Sequence, residues 1–155
     1  MKKHWICFAV AGLVCGCGGM RPSGSIPIID THIHLYDTTR PEGLPWPPPS
    51  DTVLYRPILP ADFDKVSDEN QITATVIVEA SEWIPDNQWV LDLVKHDPQR
   101  YIGLVGSLEI GTPEFSAHLE TLSKDERYVG IRLRERPGGD RFFEEEAVWK
   151  DLALL

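Results

Sequence analysis

Short, continuous apolar runs alternate along this chain with stretches whose apolar residues recur at helical spacing. Ile28 to Leu35, Thr73 to Glu79, Tyr101 to Leu108 and Tyr128 to Leu133 read as strands, the second with Val76, Ile77 and Val78 in unbroken succession. Between them, Ala61 to Asn70, Asn87 to His96 and Pro113 to Ser123 place apolar side chains such as Val90, Leu91 and Val94 on one helical face. Thr112 before Pro113 and Glu114 has the composition of a helix start: a hydroxyl to cap free N–H groups and a proline that suits the first turn. Glu144 to Leu155 begins a further helix through Val148, Trp149 and Leu152. Apolar strands alternating with helices predict a parallel sheet covered by those helices.

A closed eight-stranded barrel takes roughly 250 residues, and the 155 residues here hold four such strand–helix units. The expectation is the first half of a barrel, from a truncated product or fragment, with a small open α/β sheet as the alternative. An open half-barrel would leave the Tyr128 to Leu133 edge free to pair, which invites homo-oligomers or aggregation.

The segment before the first strand has the layout of an address. Lys2 and Lys3 are followed by an apolar core, Trp5 to Val14, too short to span a bilayer, and then by Val14-Cys15-Gly16-Cys17. Gly12, Gly16, Gly18 and Gly19 argue against a buried helix of the domain, since each glycine costs about 1 kcal/mol there. The segment resembles a bacterial lipoprotein signal, in which Cys17 would carry the lipid. Cleavage near Cys15 by an ordinary signal peptidase and a short uncleaved anchor are the other options, and globomycin sensitivity or metabolic lipid labelling separates them. Residues 1–17 are read as the signal, 18–26 as a linker and 27–155 as the folded body, exported and either anchored to the membrane or periplasmic.

All three cysteines, Cys7, Cys15 and Cys17, lie in that leader, so the body has neither a disulfide framework nor a cysteine nucleophile. A net charge of -9 argues against nucleic-acid binding, which needs clustered Lys and Arg for phosphate contacts. With 42% hydrophobic and 25% charged residues the body is ordinary globular material.

The first strand carries the most specific chemistry. In Asp30-Thr31-His32-Ile33-His34, strand alternation puts both imidazoles on one face, where two ring nitrogens can share an ion. The competing reading is a polar strand end with two solvated histidines. Asp30 shares that face if the strand is regular, and would then orient an imidazole or cap the adjoining chain. Glu79 ends the second strand and could bind metal, orient His32 or lie solvated on a loop. His96 and His118 fall in the predicted helices and read as surface residues. The connection from Tyr36 to Leu59, with Pro45-Trp46-Pro47-Pro48-Pro49 at its centre, follows the C-terminal end of the first strand. Trp46 could cover a ligand there, or the prolines could stiffen a surface crossing.

Five blocks in order carry a family resemblance: Ile29 to Asp37, Leu59 to Phe63, Ala74 to Ala80, Gly103 to Leu108 and Val129 to Arg132. With their spacing, the chain from Ile28 to Leu155 resembles the N-terminal half of the amidohydrolase superfamily, in its amidohydrolase-related group of fuconolactonase-like and pyrone-dicarboxylate lactonase-like enzymes. The resemblance implies a TIM (β/α)8 barrel with its site at the strand C-termini. It implies His32 and His34 as metal ligands, zinc first among divalent ions, or as substrate contacts in metal-free members. Arg132 matches an arginine that would hold a substrate carboxylate or carbonyl oxygen, a task suited to a planar guanidinium, and a surface salt bridge to a nearby glutamate is the competing reading. Glu79 and Trp46 join it as candidate substrate contacts. The general base of the family, an Asp after the last barrel strand, is absent from this chain, so the catalytic residue is unassigned and activity of this polypeptide alone is in doubt. The implied reaction is hydrolysis of a small lactone or other cyclic ester or amide. A related decarboxylase and a non-catalytic lipid-anchored remnant are the alternatives, and TatD-like nucleases fit the acidic chain poorly.

Overall fold

The computed structural model describes residues 26–134 and 139–155, and the leader expected over residues 1–17 with Cys17, like nearly all of the 18–26 linker, lies outside them. Four strands, β1 (Ile28–Ile33), β2 (Ile72–Val78), β3 (Tyr101–Gly106) and β4 (Tyr128–Ile131), form one parallel sheet in sequence order. Helices α1 (Pro60–Glu69), α2 (Ile84–Leu93) and α3 (Phe115–Leu122) make the three crossovers, and a 3-10 turn (Gly139–Glu144) leads into α4 (Glu146–Leu152). This is the wall of a (β/α)8 barrel over four of its units, as the alternating pattern predicts.

Each strand ends one or two residues before its predicted run does, at Ile33, Val78, Gly106 and Ile131 for β1, β2, β3 and β4. The residues beyond these ends continue the apolar runs but turn toward the loops. Helix α1 starts with Pro60 in its first turn, where its missing N–H costs nothing, and the Asp62 carboxylate accepts the Leu59 N–H at 3.0 Å. Thr112 does not cap α3. Its hydroxyl donates to the Glu109 carbonyl at 2.7 Å, and the helix begins after Glu114. Helix α2 stops at Leu93, which leaves His96 exposed in the turn beyond it, while His118 sits half-buried in α3.

The core lies between one face of the sheet and the helices. Ile33, Ile77, Leu104 and Tyr128, one from each strand, pack with Val90 and Leu91 of α2 and Phe115 and Leu122 of α3. Asn87 joins α2 to the end of β3: its amide nitrogen donates to the Ser107 carbonyl and its amide oxygen accepts the Ser107 N–H, both at 2.8 Å. Gly106 passes so close to Asn87 and Tyr128 that a Cβ would collide with both. The opposite face leaves Ile102 and Val129 exposed at 38% and 55%, as on the inner side of a barrel wall.

Candidate functional site

His34, Glu79 and Arg132 are each the first residue past a strand, of β1, β2 and β4 respectively. In a parallel sheet such positions share one edge, the C-terminal one, where barrel enzymes build their sites. The backbone holds two of them firmly, since the Glu79 N–H donates to the Val105 carbonyl at 2.9 Å and the Arg132 N–H to the Gly106 carbonyl at 2.8 Å. The corresponding residue after β3 is Ser107, whose backbone is committed to Asn87.

His34 Nδ1 lies 2.9 Å from the Val78 carbonyl oxygen. A carbonyl can only accept, so Nδ1 carries the proton and Nε2 keeps its lone pair for a ligand. The His32 ring stands nearly perpendicular to it, at 80° with centroids 5.0 Å apart. The two imidazoles are therefore in edge contact, His32 exposed and His34 half-buried. Burial lowers the His34 pKa below its ordinary 6.5, the positive charges of His32 and Arg132 push the same way, and the Val78 hydrogen bond opposes them.

Asp30 does not contribute a carboxylate to the pair. The strand is irregular between Asp30 and Ile33, and Asp30 Oδ1 accepts the backbone N–H of His32 at 3.0 Å. The carboxylate thus shapes the chain that presents His32, and the regular alternation expected for this segment gives way to a bulge.

Glu79 is buried, at 4% exposure, so the solvated-loop reading is corrected. Its carboxylate accepts from Arg134 Nη2 on both oxygens, one at 2.6 Å, and lies 3.9 Å from Arg132 Nε. Burial raises the Glu79 pKa while the two arginines oppose that rise. Arg134 was missed in the sequence. The signal was present in Arg132-Leu133-Arg134, because alternate residues near a strand end can project to one side. One carboxylate between two guanidiniums leaves a net positive charge, and Arg132, with only the long contact to Glu79, is the more available of the pair.

Trp46 leans edge-on against His34 and Tyr36, with ring centroids 5.6 and 5.4 Å apart. His34, Trp46, Glu79, Ala80, Arg132 and Arg134 line one pocket of about 200 Å³. The loop carrying Trp46 is fastened at its base by Tyr36 and Ile58, which exchange backbone hydrogen bonds of 2.9 and 2.8 Å. Its next fastening is Arg40. This buried guanidinium lies 2.9 Å from Asp86 at the start of α2, donates to Glu42 at 2.7 and 2.9 Å, and stacks 4.8 Å from the Trp89 ring.

The pairing of His32 and His34 fits two ligands of one ion, since the free Nε2 of His34 and an exposed imidazole beside it are suitable donors. A catalytic zinc site takes three protein ligands. Among the described residues, no group of three or more His, Cys, Asp or Glu side chains gathers to hold a metal, and the nearby Glu79 is engaged by arginines. Two imidazoles are fewer protein ligands than such a site takes.

A parallel β/α wall with polar side chains collected beyond the strand C-termini is the arrangement of a (β/α)8 barrel. Residues 29–155 match the sequence profile of the amidohydrolase family, and the chain belongs to that family. An L-fucono-1,5-lactonase from Burkholderia ambifaria is 25% identical over 104 residues, which cover 67% of this chain and 35% of that protein. An amidohydrolase from Burkholderia multivorans, solved with bound HEPES, superposes with a TM-score of 0.71 at 21% identity, over 84% of this chain and 45% of that one. The zinc-bound structure of an amidohydrolase from the same organism gives a TM-score of 0.63 at 20% identity, over 84% and 45% of the two chains. A probable 2-pyrone-4,6-dicarboxylic acid hydrolase from Acinetobacter baumannii, solved with citric acid, gives 0.60 at 23% identity, over 83% and 45%. The chain thus spans about a third of the curated relative and under half of the solved structures.

Proposed function

We propose that this chain supplies the His32, His34 and Arg132 part of a site that hydrolyses a lactone or a related cyclic ester or amide. The observation that carries the reading is the gathering of His34, Glu79 and Arg132, each one residue past its strand, around one pocket with the His32 ring beside it. Family membership and a lactonase relative support the reaction class.

His34 presents Nε2 because its other nitrogen is bound to Val78, and His32 stands where a shared ligand would meet both rings. A divalent ion, zinc in the first instance, would be held by this pair; when bound it supplies Lewis acidity toward a carbonyl and lowers the pKa of water. Arg132 offers its planar donors to a carboxylate or carbonyl oxygen of the substrate. Glu79 and Arg134 fix the electrostatics beneath it, and Trp46 lies edge-on against His34. The general base is not assigned to any described residue.

The test is a ring-opening assay over γ- and δ-lactones on the protein carrying this chain. Arg132→Gln should lower kcat/KM about ten- to a hundred-fold, the range for losing one hydrogen bond to a charged group. His34→Gln should abolish turnover, and zinc should restore activity after chelation. Unchanged turnover in His34→Gln would remove the proposal.

A further inference from the structure

Beside the His34 pocket lies a larger cleft, of about 710 Å³, that shares Arg132 and Arg134 with it. The cleft is walled by the loops that follow β2, β3 and β4, so it opens at the same edge of the sheet. Its apolar walls are Trp83, Ile84, Leu108, Ile110, Leu133 and Phe142. We propose that this cleft receives an apolar or aromatic substituent of a carboxylate-bearing substrate, with Arg132 holding the carboxylate at the boundary between the two compartments. The inference rests on the reading that Arg132 faces the substrate, and adds to it the character of the group beyond.

Size and chemistry both favour that occupant. A volume of about 710 Å³ lies within the usual range for small-molecule sites, whereas about 200 Å³ beside His34 suits only a reacting group. The wall is built before any ligand arrives. The Trp83 N–H donates to Ser81 Oγ at 3.1 Å, and the Ser107 hydroxyl donates to the Glu82 carbonyl at 3.3 Å, which together fix the turn presenting the indole. Trp83 nevertheless remains 37% exposed, a large rigid ring available to a partner.

The polar groups of the cleft point to the same orientation. The hydroxyls of Ser107 and Thr112 already donate to the carbonyls of Glu82 and Glu109. Glu82 and Glu109 are exposed acids that repel a carboxylate. An anionic group is therefore directed to the arginine end, and the apolar walls are left for the remainder of the molecule. A polyhydroxylated chain placed there would lose water from its hydroxyls against Trp83, Leu108 and Phe142 without regaining hydrogen bonds.

Binding by the full 155-residue chain tests this without requiring turnover. Phenylacetate, galactonate and acetate are titrated while the Trp83 indole and Arg132 side-chain signals are followed by NMR. Phenylacetate should bind about ten-fold tighter than either of the others, the factor expected for partial burial of one ring. Trp83→Ala should remove that advantage and leave acetate unchanged, Trp83→Phe should restore most of it, and Arg132→Gln should weaken all three. Phenylacetate binding no tighter than acetate, or equally tight in Trp83→Ala, overturns the apolar compartment, even where Arg132→Gln still shows that anions bind. Acetate and phenylacetate both indifferent to Arg132→Gln instead overturn the role of Arg132 on which the inference stands.

Discussion

The behaviour of His34 follows from three neighbours. The Val78 carbonyl accepts a hydrogen bond from its Nδ1–H, Trp46 packs against its ring, and His32 and Arg132 set positive charge nearby. Because burial is the largest influence and lowers the pKa, His34 should titrate below the ordinary 6.5 in an NMR pH series. Trp46→Ala should move the midpoint back up, and an unmoved midpoint would mean that Trp46 does not shield the ring. The sign for stability follows. With the folded pKa below the unfolded 6.5, the unfolded chain takes up protons first as pH falls, so stability present above about pH 6.5 is lost toward lower pH. His34→Gln should flatten that part of the profile, and comparing it with the parent chain cancels the opposite contribution of Glu79, whose folded pKa is raised. At this scale the sequence offered the His pair through strand alternation and Arg132 through the family resemblance. It left open whether Asp30 orients an imidazole or caps the chain, and it did not reveal that Glu79 is buried, because the first turns on a local irregularity of β1 and the second on an arginine 55 residues away.

Among the elements, the strands were the most legible, since an apolar run such as Val76-Ile77-Val78 fixes its own identity wherever it packs. Helix ends were less so: Thr112 has the right hydroxyl, but the Glu109 carbonyl claims it. The loop from Tyr36 to Leu59 has no periodicity, and its fastening depends on Arg40 reaching Asp86 at the start of another helix, a pairing no local pattern announces. Both groups are buried, so Arg40→Ala leaves the Asp86 carboxylate without its cation. The expected cost is about 3 kcal/mol in urea unfolding. Hydrogen exchange at the Tyr36 and Ile58 amides should quicken and Trp46 should become more accessible to acrylamide. Unchanged exchange at those amides would show that Arg40 does not secure the loop.

For the whole molecule, four β/α units bring His34, Trp46, Glu79 and Arg132 to one edge of a single sheet. The fold class was legible because alternating strands and helices admit few parallel arrangements, and family membership agrees with it. The site was legible only in part, since Arg134 and the large cleft belong to loops that meet in space. The account stands on His32 and His34 addressing one ligand. The most direct measurement is a zinc titration of the 155-residue chain at neutral pH with both imidazole resonances followed by NMR. The two rings should respond together with one midpoint, and His32→Gln or His34→Gln should each abolish the response of the remaining ring. Independent midpoints, or a ring that still binds zinc after its neighbour is replaced, would contradict a shared site.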